Sequence, residues 1–356
     1  MSLFERRAAA TPLAAADEPD ADSVELPISP ERHRLLNRAS GQPGAVMDAQ
    51  RVLVTGGGGF IGGALVDSLR GDAEVGVLDV DTGTDVPDDV RAIEGDVRDR
   101  EVLDEAVAGV DVVFHQAALV SVADSVARPL ESHSVNATGT LRVLEAARAH
   151  DARVVLASSA AIYGDPDRVP VPETATLDPT SPYGLQKLAS DHYARLYHEL
   201  YGVETVALRY FNVYGPGQTG GDYAGVIDAF LEQARRGDPL TVHGDGEQTR
   251  DFVHVDDVVR ANRLAAETDA VGTGYNVGTG ESVTITELAE RVREAVGSDS
   301  EIVHTDAREG DVRHSRADVS RARERLGYEP TVDLAAGLDT LARNEEAGFP
   351  DGSSSP

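Results

Sequence analysis

The sequence predicts an α/β protein built on a doubly wound parallel sheet, and three observations carry that expectation. First, five short runs are almost continuously apolar: RVLVT (51–55), EVGVLDV (74–80), VDVVFH (110–115), ARVVLAS (152–158) and ETVALRY (204–210). Strands buried on both faces read this way. Second, stretches of helical period such as GALVDSLR and ATGTLRVLEAARAH lie between them. Such strand–helix alternation builds a parallel sheet covered by helices. Third, the first run passes through the glycine-rich turn VTGGGGFIGGAL into the first helical stretch. Beyond about residue 212 the pattern loosens and Gly and Pro become frequent, which predicts a smaller C-terminal α/β lobe. GYNVG (274–278) reads as one more strand returning to the sheet.

The glycine turn has a chemical reading. Gly56, Gly59 and Gly62 have G-x-x-G-x-x-G spacing. Glycines let the chain turn tightly and let backbone N–H groups approach a pyrophosphate at a helix N-terminus. Four consecutive glycines alone also suit a flexible loop, but a strand before and a helix after them favour a dinucleotide site. Asp79 closes the second strand, where an acidic residue hydrogen-bonds an adenosine ribose. Its charge repels a 2′-phosphate, so NAD is expected rather than NADP. EGDVRD (94–99) puts Asp96 where an adenine contact could form, although alone the motif is only a turn.

Four segments follow. Residues 1–49 are rich in Ala, Pro, Asp and Glu without a sustained period, and disorder is expected there. Met47, the only methionine besides Met1, stands four residues before RVLVT. It reads as a possible true start, and the arm before it is not expected to contribute to catalysis. Residues 50–211, completed by about 252–278, are expected to bind the dinucleotide. Residues 212–251 and 279–345 form the second lobe, and 346–356 are a tail.

The formal net charge is −30, which argues against nucleic-acid binding, since phosphates need a basic face. A surface this acidic suits a protein of a halophilic source, or an ordinary acidic cytosolic protein of biased composition. There is no cysteine, which excludes disulfides, thiolate catalysis and thiolate metal sites, and no metal is expected. No apolar run approaches the roughly 20 residues that cross a bilayer, and the N-terminus does not read as a signal peptide. A cytoplasmic protein without membrane partners is expected.

SPYGLQKLASDHY (181–193) contains Lys187, the single lysine of 356 residues. It lies four residues after Tyr183, so on a helix the two share a face. A free phenol is a poor base at neutral pH, but a nearby ammonium stabilises the phenolate and lowers its pKa. Tyr183 could then exchange a proton with a substrate hydroxyl while a hydride moves to or from a nicotinamide. Y-x-x-x-K is weak alone, and an ordinary helix-surface pair is the default reading. With ten tyrosines, at most 10 of 356 positions, about 3%, lie four residues after one, and the sole lysine occupies such a position. LASSAAIYG, at the end of the fifth run, supplies a hydroxyl partner at the sheet edge where ligands bind.

Between about 51 and 340 the chain resembles the extended short-chain dehydrogenase/reductase family, in particular its nucleotide-sugar 4-epimerases. TGGGGFIG, FHQAALVSV, VNATGTLRVLEAAR, SSAAIYG, SPYGLQK, LRYFNVYGPGQ, GDGEQTRDFVHVDD, YNVGTG and REGDVRHSRAD carry the likeness. It implies a Rossmann-type fold with a substrate-binding lobe. Phe60, Ile61, Asp79, Asp96, Val97, Ala117, Ala118, Asn136 and Phe211 would line the NAD site. Ser159 would be the catalytic hydroxyl beside Tyr183 and Lys187. Asn212, Val226, Arg250 and Arg308 would hold a nucleotide diphosphate, to which an arginine fork is matched. Ser315, seven residues after Arg308, would border the sugar C2 substituent, and a small residue there would admit an N-acetyl group.

By the same resemblance, NAD takes a hydride from C4 of UDP-glucose or UDP-N-acetylglucosamine and returns it to the other face of a 4-keto sugar. A rival is a dehydratase or decarboxylase of the same family, and the dehydratases carry extra acids where this chain has Ala160 and Ala161. A non-catalytic NAD-binding regulator is expected to lose Ser159, Tyr183 or Lys187, and all three are present. An NADPH-dependent reductase conflicts with Asp79. Helices near 130–149 and 182–201 resemble those that pair in family homodimers.

Overall fold

Continuous apolar runs need helices on both faces, and the chain provides them. The computed structural model describes residues 50–82, 86–218, 225–308 and 310–344, all within one compact unit of the chain. The expected disordered arm (1–49), Met47 and the tail (346–356) lie outside the described residues.

The first half runs β1 (Arg51–Thr55), α1 (Phe60–Leu69), β2 (Glu74–Asp79), β3 (Arg91–Glu94), α2 (Arg100–Val107) and β4 (Val112–His115). Two short helices, α3 (Val122–Ala127) and α4 (Pro129–His133), lead into a π-helical turn at Ser134–Gly139 and then α5 (Thr140–His150). β5 (Arg153–Ser159), a 3₁₀ turn at Ala160–Tyr163, α6 (Pro182–Tyr201) and β6 (Thr205–Tyr210) follow. The second half contains β7 (Asn212–Tyr214), α7 (Val226–Arg236), β8 (Leu240–His243), β9 (Thr249–Arg250), β10 (Phe252–His254) and α8 (Val255–Glu267). It ends with β11 (Thr273–Val277), β12 (Val283–Thr284), α9 (Ile285–Val296), β13 (Ile302–Thr305), α10 (Ser320–Leu326) and α11 (Leu334–Asn344).

Seven strands pair in the order β11–β6–β5–β4–β1–β2–β3, every pair parallel. This is the doubly wound sheet expected from the sequence. β3 is the strand the apolar runs omit. It lies at the sheet edge, three of its four residues are exposed, and no hydrophobic pattern is required of it. Strand order reverses between β1 and β4, and in open sheets of this kind ligands enter at such a switch point.

Alternate residues face opposite layers. Val52, Val54 and Val77 pack with Leu65, Leu69 and Val258 of α1 and α8. Leu53, Leu78 and Val113 pack with Leu103 and Leu144 of α2 and α5. Full burial of one such side chain contributes about 1.5–3 kcal/mol. A separate core of Ile227, Phe230, Leu240, Val242, Phe252, Leu288, Val292 and Leu338 joins elements beyond residue 212. Three two-stranded pairs edge this part: β7–β10, β9–β12 and β8–β13. α9 begins with a reciprocal capping box between Thr284 and Glu287 and ends at Gly297 with φ +70°, the start and stop chemistry a helix needs.

Candidate active site

The glycine turn is shaped by close backbone approach. Gly56 has φ +72°, and a Cβ there would lie 2.6 Å from the Ala117 backbone nitrogen, across the switch point. A Cβ on Gly62 would lie 1.9 Å from the Gly56 carbonyl oxygen. No side chain caps α1, whose N-cap is Gly59, and its first turn holds no acid. Its N–H groups therefore suit an anion. The Gly58 N–H donates to Asp79 Oδ2 at 2.9 Å, which fixes the carboxylate beside the turn. These features fit the pyrophosphate and ribose of a dinucleotide. Phe60 and Ile61, the first residues of α1, are partly buried next to it.

The other residues expected along this site have the following neighbours. Asp96 is held in the fork of Arg98 through Nε at 2.9 and 3.0 Å, which keeps its carboxyl below the ordinary range. Val97 is buried against α5 and α2. Ala117 and Ala118 lie just after β4, next to the switch point. Asn136 is 2% exposed, and its amide is already used. Its Oδ1 accepts from the Leu119 N–H at 2.8 Å, and its Nδ2 donates to the Leu119 carbonyl at 2.9 Å and to Gln186 Oε1 at 2.9 Å. It clamps the loop after β4 instead of presenting its amide to a ligand. Phe211 is buried in the α1/α8 layer.

The tyrosine and lysine stand where the helix period puts them. α6 starts with Ser181 extended, its side chain accepting from the Gly184 N–H, and Pro182 at the first position. Tyr183 and Lys187 share the face turned to β5, and Lys187 Nζ lies 5.9 Å from the Tyr183 ring centre. Ser159, the last residue of β5, hydrogen-bonds the Tyr183 phenol and also accepts from the Ala161 N–H at 3.2 Å.

Burial pushes the Tyr183 phenol up, and the Ser159 hydrogen bond only partly offsets it. Lys187 Nζ donates to the Ala157 carbonyl at 2.8 Å. Burial lowers the Lys187 ammonium to about 8.

Three buried groups missing from the sequence reading frame the cluster. His115 bridges Thr55 Oγ1 at 2.7 Å and Thr140 Oγ1 at 3.0 Å. Burial, then the Lys187 charge, lowers it to about 3, so it is neutral at pH 7. Asp191, one turn after Lys187, takes Arg209 through two bonds of 2.9 and 3.0 Å and the Ser158 hydroxyl at 3.1 Å. Arg209 also donates to the Tyr163 hydroxyl at 2.8 Å. This network ties the C-terminal ends of β5 and β6 to α6. Asp191 and Arg209 stand eighteen residues apart, so only the fold reveals their pairing.

The residues expected at a diphosphate gather on β9 and the segment after β13. The Arg250 guanidinium is 14% exposed; it pairs with Asp311 and donates to the Thr249 carbonyl at 2.8 Å. A Thr249–His314 bridge and the Ser315 N–H to Thr249 carbonyl bond at 3.1 Å bring Ser315 alongside. Exposed Arg308 meets His243 Nε2 at 3.0 Å. Asn212 donates its amide to the Asp251 carbonyl at 3.1 Å, and Val226 opens α7 against the second core. A cleft of about 380 Å³ also touches Arg250, but its lining includes none of Ser159, Tyr183 and Lys187. Among the described residues no cluster of His, Asp and Glu has a metal-ligating arrangement, and no helix is long and apolar enough to cross a membrane.

Comparison with known proteins agrees with this geometry. The profile of the NAD dependent epimerase/dehydratase family matches residues 52–278. A protein of Methanocaldococcus jannaschii named as a putative UDP-glucose 4-epimerase is 39% identical over 295 residues, covering 81% of this chain and 95% of its own. A UDP-glucose 4-epimerase of Thermotoga maritima, solved with UDP-glucose, superposes with TM-score 0.81 at 38% identity, over 84% of this chain and 99% of that one. A UDP-N-acetylglucosamine 4-epimerase of Methanobrevibacter ruminantium, solved with UDP-N-acetylmuramic acid, gives TM-score 0.81 at 35% identity, over 85% and 100%. By profile, identity and fold, this chain belongs to the NAD dependent epimerase/dehydratase family.

Proposed function

We propose that the protein epimerises a nucleotide-diphosphate sugar at C4 through a 4-keto sugar, with NAD as bound cofactor. The Ser159–Tyr183–Lys187 cluster carries this reading, because it sits on the same sheet edge as the glycine turn. When bound, NAD accepts and returns the hydride at C4. Gly56, Gly59, Gly62 and Asp79 hold it, with Phe60, Ile61, Asp96, Val97, Ala117 and Ala118 around it, while Asn136 fixes the loop after β4.

The Tyr183 phenolate takes the proton of the sugar 4-hydroxyl and later gives it back. Ser159 hydrogen-bonds that phenol and steadies the proton transfer. The Lys187 ammonium offsets the charge that appears on Tyr183. Arg250 and Arg308, with Asn212 and Val226, hold the diphosphate while the sugar turns over. On this reading, residues 50–211 with 252–278 form the NAD half, and 212–251 with 279–345 form the substrate lobe.

Incubation with a panel of nucleotide sugars, read by NMR, tests the reaction. C4 epimers support it. Loss of CO₂ from a uronic acid sugar or loss of water would instead indicate the decarboxylase or dehydratase reading, the second of which lacks its acids at Ala160 and Ala161.

Two residues set finer choices. Asp79 repels a 2′-phosphate, so cofactor released by denaturation should be NAD; recovery of mainly NADP would reject this role. Ser315 leaves room at C2, so UDP-N-acetylglucosamine should be turned over, alone or with UDP-glucose. Ser315→Tyr overfills that space, a penalty on the order of 1–3 kcal/mol or more. It should abolish turnover of the N-acetyl sugar and spare UDP-glucose, and equal loss of both would remove Ser315 as the gate.

The working form is proposed to be a cytoplasmic homodimer suited to strong salt. Val122, Val126 and Leu130 of α3 and α4, and Leu185, Leu196 and Leu200 of α6, are exposed apolar side chains that a second copy would cover. Light scattering that reads a single-chain mass at high salt would reject this.

A further inference from the structure

The acting tyrosine stands in the first turn of its helix, where backbone N–H groups have no intrahelical partner. α6 meets this shortage in three ways. Pro182, at the first position, has no N–H to satisfy. Ser181 accepts the Gly184 N–H on its side chain at 3.1 Å, while its carbonyl takes the Leu185 N–H at 3.0 Å as the first regular helical bond. Within the helix this leaves the N–H of Tyr183, and its partner comes from outside the helix. Ser125 Oγ on α3 accepts it at 3.1 Å across 58 residues of sequence.

Ser125 is built for this contact. It is 0% exposed, and its hydroxyl proton goes to the Val122 carbonyl at 2.7 Å, which leaves a lone pair aimed at Tyr183. α3 is itself held in place, since Ser121 caps it by accepting from the Asp124 N–H at 3.0 Å.

We propose that Ser125 is a positioning residue for the reaction, capping Tyr183 from a second helix and holding its phenol at Ser159. This inference rests on the reading of Tyr183 as the proton-transferring group. Helix ends fray, and a displacement of about 1 Å at a reacting group can cost on the order of a hundredfold in rate. A cap supplied by α3 suppresses that displacement without occupying the site.

The test compares Ser125→Ala, Ser125→Thr and Thr284→Ala in the NAD-loaded full chain, with Tyr183→Phe beside them. Thr284→Ala removes the cap of α9, on the strand that pairs with β9 rather than at α6, and controls for the loss of a helix cap as such. Expected are a fall of about tenfold or more in kcat for Ser125→Ala, with KM and NAD content unchanged, recovery in Ser125→Thr, and faster amide exchange at Tyr183 by mass spectrometry. Wild-type kcat in Ser125→Ala overturns the inference, as does an equal fall in Thr284→Ala at matched Tm. If Tyr183→Phe is inactive while Ser125→Ala turns over normally, only the positioning role fails. If Tyr183→Phe stays active, the proton-transfer reading fails and the inference with it.

Discussion

Tyr183→Phe is expected to lower turnover by about 10²–10⁴-fold, the usual contribution of a placed acid–base group, while folding and NAD content stay as in the wild type. The change removes one oxygen and keeps the ring. Among the described residues the Tyr183 hydroxyl is hydrogen-bonded to Ser159, which retains the Ala161 N–H at 3.2 Å. The pH profile has a sign fixed by the site. The phenol must lose its proton before it can accept one, and burial pushes it up. kcat/KM should therefore climb with pH from neutrality and level off past about 8, where Lys187 loses its charge. Turnover in Tyr183→Phe within a few-fold of wild type would remove the tyrosine from the chemistry.

Lys187→Arg keeps the charge and should still lose about a hundredfold in turnover, measured at matched salt. The ammonium is 6% exposed and reaches one carbonyl, Ala157, at 2.8 Å. A guanidinium is broader, planar and has five donors in a fixed fork. It cannot take that position without displacing β5 or the Tyr183 ring. Because arginine stays protonated, the levelling of kcat/KM past about 8 should also disappear, which separates a change of ionisation from mere disruption. Near wild-type turnover with an unchanged profile would mean that the charge alone matters.

Much of this architecture was legible because burial imposes a pattern. β1, β4, β5 and β6 are covered on both faces and read as apolar runs. β3 has Arg91 and Glu94 at the sheet edge and follows no such rule. The two-residue strands β9 and β12 exist only because they meet each other, so no local signal marks them. Tyr183 and Lys187 were readable because a helix converts a spacing of four into a shared face. Where Lys187 directs its ammonium was not, since the Ala157 carbonyl is a backbone group thirty residues away. The same holds for Asn136, whose sequence context suggests a ligand and whose amide is consumed by Leu119. Ser125 is the extreme case: nothing near it in the chain refers to Tyr183.

The position of β11 has a consequence for how the chain is made. β6, buried at all six positions, pairs on its outer side with β11, which begins only at Thr273. On a ribosome adding about 5–20 residues per second, residues 211–272 take roughly 3–12 s to appear. Until then a strand meant for burial has an open row of hydrogen-bonding groups, the kind of edge that recruits other chains. Nascent chains stalled within this interval should therefore be the aggregation-prone ones. For the same reason, a dinucleotide half cut after Phe211 would leave β6 unpaired, however complete its glycine turn and catalytic helix.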